Sequence, residues 1–196
     1  MKGKGKEHDQ SSLVKTIIDN LFSLFKICVI CFVVVFTITN YLIRPLWVSG
    51  DSMHPTIKDG EFLIGNSFAA HFSQIKRGDI VVAYEALYTK TNMIKRVIAL
   101  PGETITCQHQ KIYIDGVELE EPYLDNYWKK LLEESNQIFN EDFKEVTLKE
   151  NEYFLLGDNR YNSLDSIEYG PFKKNQIKAV GIYRFLPFNK LGEKIE

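Results

Sequence analysis

From Ile27 to Ile43 the chain reads ICVICFVVVFTITNYLI, without one formal charge. With Leu21–Phe25 ahead of it, the run extends over residues 21–43 and is broken by Lys26 alone. A helix needs about 20 apolar residues to cross a hydrocarbon core of ~30 Å. Val, Ile and Phe are mediocre helix formers in water, but in lipid an unbonded peptide group costs far more than their propensity. Lys26 lies near one end, where its stem can carry the ammonium out to the headgroups. A cleavable signal peptide fits less well. The run is long for one, and Arg44-Pro45-Leu46-Trp47 offers no small-residue cleavage site. Residues 21–43 are therefore read as a single transmembrane anchor in a lipid bilayer.

The flanks orient it. Lys2, Lys4, Lys6, Lys15 and Lys26 precede or open the span, and Arg44 follows it. Basic flanks stay cytoplasmic, so residues 1–20 are expected in the cytoplasm and 44–196 outside it. The net charge of −2 divides into +3 over residues 1–44 and −5 over 45–196. The exported part thus has no basic excess for neutralising phosphates, and a nucleic-acid partner is not expected. Three cysteines do not make a disulfide scaffold. Cys28 and Cys31 spell C-x-x-C, but inside a lipid-facing helix with no further ligand nearby they read as packing. Cys107 reads as a small hydrophobe. No metal-ligand cluster and no cofactor motif stands in the sequence, and it is silent on oligomeric state.

The exported part looks mainly β. Runs rich in β-branched and aromatic residues occur at 61–64, 79–84, 93–100, 104–108, 111–114, 152–156 and 178–185. Asp115-Gly116 is a strong hairpin signal. Residues 124–150 differ: they are charged, lack Gly and Pro, and read as a variable inserted lobe with some helix and some loop. A binding module, a structural domain and an enzyme all fit this description so far.

Three clusters carry the chemistry. The first is Ser49-Gly50-Asp51-Ser52-Met53-His54-Pro55-Thr56, which by itself also fits an ordinary loop. It is not the G-x-S-x-G elbow of α/β-hydrolases. The second is Met93-Ile94-Lys95-Arg96-Val97-Ile98-Ala99-Leu100-Pro101-Gly102. Strand alternation sends Lys95 and Arg96 to opposite faces, so that one can point inward while the other meets water. An inward lysine is costly when charged, and burial lowers its pKa. The third is Gly157-Asp158-Asn159-Arg160-Tyr161-Asn162-Ser163-Leu164-Asp165-Ser166, dense in turn formers and hydrogen-bonding groups.

With the anchor and Arg77-Gly78-Asp79-Ile80-Val81-Val82, these clusters stand in the order found in type I signal peptidases, and the chain resembles that family over nearly its whole length. The spacing between Ser52 and Lys95, and a glycine at position 50, resemble the compact Gram-positive type. The resemblance implies a membrane-bound serine endopeptidase that removes signal peptides from exported preproteins with a Ser/Lys dyad. It implies Ser52 as nucleophile and Lys95 as general base, with the Ser52 backbone N–H as an oxyanion donor. Ser163 would support the Lys95 amine and Asp165 would hold the local turn. The family cuts after a small residue, so shallow apolar pockets are implied; Met53 and Ile94 are candidate walls, with residues near Phe62 and Val81–Ala83. Substrate would bind as an added strand. Ser52 follows Arg44 by only eight residues, which puts the scissile bond near the bilayer surface.

Three positions depart from the family pattern. Tyr161 stands where relatives commonly have Asp, Ile167 where they commonly have Arg, and Ala99 where they commonly have Gly. The usual ion pair to Asp165 is therefore not expected.

Overall fold

A computed structural model of the chain describes residues 4–124, 127 and 138–195. It divides into two compact units, residues 1–41 and 42–196. The first unit is one helix, α1 (Lys4–Thr37), followed by a wider π turn over Ile38–Leu42. Its stretch Lys15–Thr37 is long and apolar enough to cross a membrane, and none of it is buried against protein. Thr37 and Thr39 return their hydroxyls to Val33 and Val35 carbonyls, as hydroxyls do where no water can serve them. The chain changes character at Ile43, which begins a strand.

Among the described residues of the second unit, eleven strands form two antiparallel sheets. They are β1 (Ile43–Trp47), β2 (Phe62–Asn66), β3 (Ile80–Tyr84), β4 (Asn92–Ala99), β5 (Thr104–Gln108), β6 (Lys111–Ile114), β7 (Val117–Glu118), β8 (Phe143–Thr147), β9 (Glu152–Leu156), β10 (Phe172–Lys173) and β11 (Ile177–Leu186). The larger sheet runs β1-β2-β11-β3-β4-β9-β10 and the smaller β7-β6-β5-β8. Among the described residues two short helices connect strands of the larger sheet, α2 (Ser67–Phe72) between β2 and β3 and α3 (Ser166–Tyr169) between β9 and β10. The domain is mainly β, and each of the seven runs read from the sequence coincides with a strand.

Four strands lie outside those runs. Ile43–Trp47 belongs to β1 rather than to the span alone, because Ile43 pairs with Asn66 and Trp47 with Phe62. Within 124–150 the described part contains β8, a strand where helix and loop were expected. It pairs with β5 through Thr104↔Thr147 and Ile105↔Val146, and its charged residues face water. Positions 125–126 and 128–137 of that lobe lie outside the described residues. Strands β7 and β10 are two residues each and hold too little pattern to be read.

Three apolar clusters fill the interior. One joins Val81, Ala83, Val97, Leu155, Phe172 and Ile177 under the middle of the large sheet. Another joins Ile98, Ile105, Cys107, Ile112, Phe154 and Leu156 between the sheets. The third, Met53, Ile57, Leu63, Ile80, Val82 and Ile182, lies beneath the loop carrying Ser52. Strand β4 contributes to all three, since Ile94 packs on the last of them.

Candidate active site

The loop after β1 presents Ser52. Val48 and Glu61 continue the β1–β2 pairing past its formal end, with Val48 N–H donating to Glu61 O at 2.9 Å. Gly50 then turns the chain at φ +99°, a conformation that L side chains rarely adopt. Its N–H is fixed by Asp59 Oδ1 at 2.8 Å. Three further bonds bolt this loop to the turn after β9. Asn159 N–H donates to Ser52 O at 3.0 Å, Asn159 Nδ2 donates to Asp51 O at 3.1 Å, and the Thr56 hydroxyl donates to Asp158 Oδ2 at 2.5 Å. Among the described residues, neither the Ser52 hydroxyl nor its N–H makes a hydrogen bond. The loop is held by its carbonyls and neighbours while both groups of Ser52 stay available.

Lys95 sits in the middle of β4, opposite Val81 of β3. Alternation does send Lys95 and Arg96 to opposite faces, but neither meets water: they are 2% and 1% exposed. Arg96 is neutralised on its own face by Asp158, Nε to Oδ1 and Nη2 to Oδ2, both at 2.8 Å. Its guanidinium also covers the Tyr123 ring at 3.9 Å. Among the described residues Lys95 has no such ion pair. Its Nζ donates to Ser163 Oγ at 2.9 Å, and Ser163 Oγ donates in turn to Asp165 Oδ2 at 2.6 Å. Burial pushes the lysine from 10.5 down to about 8, against the pull of the Asp165 and Asp158 carboxylates. Desolvation wins because both carboxylates are already engaged. Asp165 takes N–H bonds from Gly157 at 3.0 Å and Ile167 at 3.1 Å, the second capping α3, and has no salt bridge among the described residues.

Ser52, Lys95, Ser163 and Asp165 thus come from three separate stretches of chain, and residue 157 lies between the Ser52 and Ser163 stretches. A β-carbon there would collide with both the Ser163 hydroxyl and the Ser52 carbonyl oxygen, and would stand 2.7 Å from Ser163 Cβ. The glycine is required for close approach. Gly157→Ala is expected to lower kcat roughly 100-fold or more, since one obstacle is backbone and misplacement by about 1 Å costs on that order. Single-turnover cleavage with the variant checks it. Unchanged kcat would mean that the Ser52 loop yields freely.

An open cleft of about 620 Å³ runs beside Ser52. Met53 and Ile94 both line it, Met53 buried and Ile94 half-buried. Val82 forms part of its floor, while Phe62 packs instead on Trp47 and Phe185, with ring centroids at 4.8 and 5.6 Å. One wall is Pro45–Gly50 and the other Lys90–Ile94. Trp47, Val48 and Lys90–Asn92 were not among the residues expected there. Among the described residues both walls have an unpaired strand side. β1 is the end of its sheet, and β4 bonds to β9 only from Arg96 onward. Cys107 is no rival nucleophile: burial, then the Asp142 carboxylate, push its thiol up to about 12.

A family model described as signal peptidase, peptidase S26, matches residues 21–186. Signal peptidase I S of Bacillus subtilis is 36% identical over 167 residues, covering 85% of this chain and 89% of the relative. Signal peptidase I T of the same species is 36% identical over 169 residues, 86% of each. A crystal structure of a signal peptidase I from Enterococcus faecalis matches at 32% identity and a TM-score of 0.49, over 55% of this chain and 97% of that one.

Proposed function

The chain belongs to the signal peptidase family, peptidase S26, and we propose that it removes signal peptides from exported preproteins with Ser52 as nucleophile and Lys95 as general base. It is a serine protease of that family, and membrane anchoring fits its N-terminal apolar helix. The observation that carries the site assignment is a lysine 2% exposed, its amine held by a serine hydroxyl and lowered to about 8, next in the chain to Ile94, which lines the same cleft as Ser52.

The hydrogen-bond directions fix the protons. Ser163 gives its own proton to Asp165 and so offers Lys95 a lone pair. A neutral Lys95 spends one N–H there and keeps its lone pair for another donor. That lone pair takes the Ser52 proton as Oγ attacks the scissile carbonyl carbon. The resulting oxyanion meets the Ser52 N–H, which has no competing acceptor among the described residues. The Lys95 ammonium then protonates the leaving amine, which departs as the new N-terminus of the mature chain. Water enters, loses a proton to the neutral amine and attacks the acyl carbon; the C–Oγ bond breaks, the Lys95 ammonium returns the proton to Ser52 Oγ, and the acyl group leaves as the carboxyl end of the signal peptide. Among the described residues no hydrogen bond joins Ser52 to Lys95; catalytic hydrogen bonds are often long in the free enzyme and tighten once substrate is bound.

The cleft suits an extended peptide. Main-chain groups of the unpaired sides of Pro45–Gly50 and Asn92–Lys95 supply a ladder, while Met53 and Ile94 bound a shallow pocket for the small residue before the bond. The orientation set by the lysines before the span puts residues 1–20 in the cytoplasm, 21–43 in the bilayer and 44–196 outside.

A pH–rate profile tests the base. The neutral amine is the active form, so kcat/KM on a model preprotein is expected to climb about tenfold per pH unit from pH 5 and to level near the Lys95 value of about 8. A profile that is flat across that range, or that rises on acidification, removes Lys95 from the role.

A further inference from the structure

The loop between β3 and β4, residues 85–91, is organised around one carboxylate. Glu85 is 3% exposed. Its Oε1 accepts the Leu87 N–H at 2.6 Å. Its Oε2 accepts the N–H groups of Tyr88 at 2.9 Å, Thr89 at 2.6 Å and Lys90 at 3.4 Å, and the Thr89 hydroxyl at 3.1 Å. Burial alone would push this carboxyl up, but the amide donors outweigh it and hold it at about 2. It stays ionised wherever the enzyme works.

Little else holds the loop in shape. Leu87 and Tyr88 are 75% and 72% exposed, so no apolar anchor lies under the tip; Tyr88 only stacks on Tyr169 at 5.8 Å. Lys90 is bent to φ +52°, which a lysine keeps only when its neighbours are fixed. Glu85 N–H donates to Thr91 O at 2.9 Å, and the Thr89 and Thr91 hydroxyls meet at 2.9 Å. The chain leaving the loop is Lys90-Thr91-Asn92, which lines the cleft and starts the strand that reaches Lys95.

We propose that Glu85 is a positioning residue for substrate: its carboxylate fixes residues 87–90, and through them the entry to β4, so that the free side of β4 is set in advance for the peptide segment that precedes the scissile bond. The inference rests on the reading of Ser52, Lys95 and the cleft given above. Glu85 touches neither of the two reacting side chains, so its effect falls on binding. Prefixing a receptor strand removes an ordering cost that the substrate would otherwise meet. Only a substrate long enough to lie along Lys90–Asn92 gains from it.

The test uses the full chain in detergent and two peptides, one with about ten residues before the bond and one with about two. Glu85→Gln keeps the shape but turns an acceptor into an NH₂ facing N–H donors. KM for the long peptide is expected to rise roughly tenfold with kcat within about twofold, and the short peptide is expected to be unaffected. Equal loss on both peptides, loss confined to kcat, or no change in KM overturns the proposal. If Glu85→Gln does not fold, Thr89→Val removes one donor and leaves the amides in place. It is expected to raise KM on the long peptide alone by about two- to threefold, and no change overturns the proposal equally. Ser52→Ala is run beside them: cleavage surviving there sinks the underlying site, whereas the ratio between peptides reports on the loop.

Discussion

Lys95→Met is expected to abolish preprotein cleavage and, in the same molecule, to raise stability at neutral pH. Loss of the base leaves the Ser52 proton nowhere to go, and turnover should fall by about 10⁴ or more. Ser52→Ala should fall as far, and the double variant no further, because the two act as one unit. The stability gain follows from the same burial. Lys95 titrates near 8 in the folded chain against 10.5 ordinarily. Below pH 8 the unfolded chain therefore holds this proton more tightly, and folding bears the full penalty. As pH rises from 8 towards 10.5 the unfolded lysine also becomes neutral and the penalty disappears. A shift of that size corresponds to about 3 kcal/mol, and Ser163 loses a donor worth about 1 kcal/mol in the variant. A net gain of about 2 kcal/mol at pH 7, shrinking towards pH 10.5, should appear in thermal melts of detergent-solubilised protein. A variant less stable than the parent at pH 7 would mean that the amine is not dry. Stabilisation by removing a reactive group is the usual sign of an active site built against the fold.

The chemistry was more legible than the geometry that supports it. Lys95 stands beside Ile94 in an apolar strand, a pattern that left open whether it or Arg96 points inward; its role came from the family resemblance, and its burial from the fold. Arg96 escaped this reasoning. Alternation placed it on the face opposite Lys95 and left one of the two faces to water, whereas both are buried; nothing local in the sequence shows that Asp158 arrives from 62 residues away. Long-range partners of this kind are set by topology, and topology is what a linear pattern carries least. The Glu85 loop was missed for a different reason. Its organising bonds run from one side chain to four backbone N–H groups within five residues. Backbone donors have no sequence signature, and Glu-Ala-Leu-Tyr-Thr-Lys gives no turn signal. β1 was hidden by its position, since Ile43 reads equally well as the last lipid-facing residue and as the first of a strand. Gly157 was visible only as part of a turn. That its missing β-carbon makes room for both Ser52 O and Ser163 needs three stretches of chain at once.

Asp158→Ala is expected to be the most destabilising single change in the second unit. The Arg96–Asp158 pair is 2% and 0% exposed at its side chains and bidentate. Removing the carboxylate takes a bidentate ion pair away from a buried guanidinium, a loss of about 3–5 kcal/mol. The Gly78 carbonyl at 2.9 Å and the Tyr123 ring remain beside Arg96. The Thr56 hydroxyl loses its acceptor too, and with it one of three ties between the Ser52 loop and the turn after β9. Activity should therefore fall before the protein unfolds. The pair as a whole contributes much less than either half, because both charges had to leave water to form it. Arg96→Met with Asp158→Leu is expected to recover most of the stability lost by Asp158→Ala alone. Activity should not return with it, since leucine at 158 offers Thr56 no acceptor. Urea midpoints of the two variants, read beside their cleavage rates, separate these effects. A single variant within about 1 kcal/mol of the parent would mean that water reaches Arg96. A double variant with full activity would mean that the Thr56 tie does not position Ser52, leaving that task to the two bonds from Asn159.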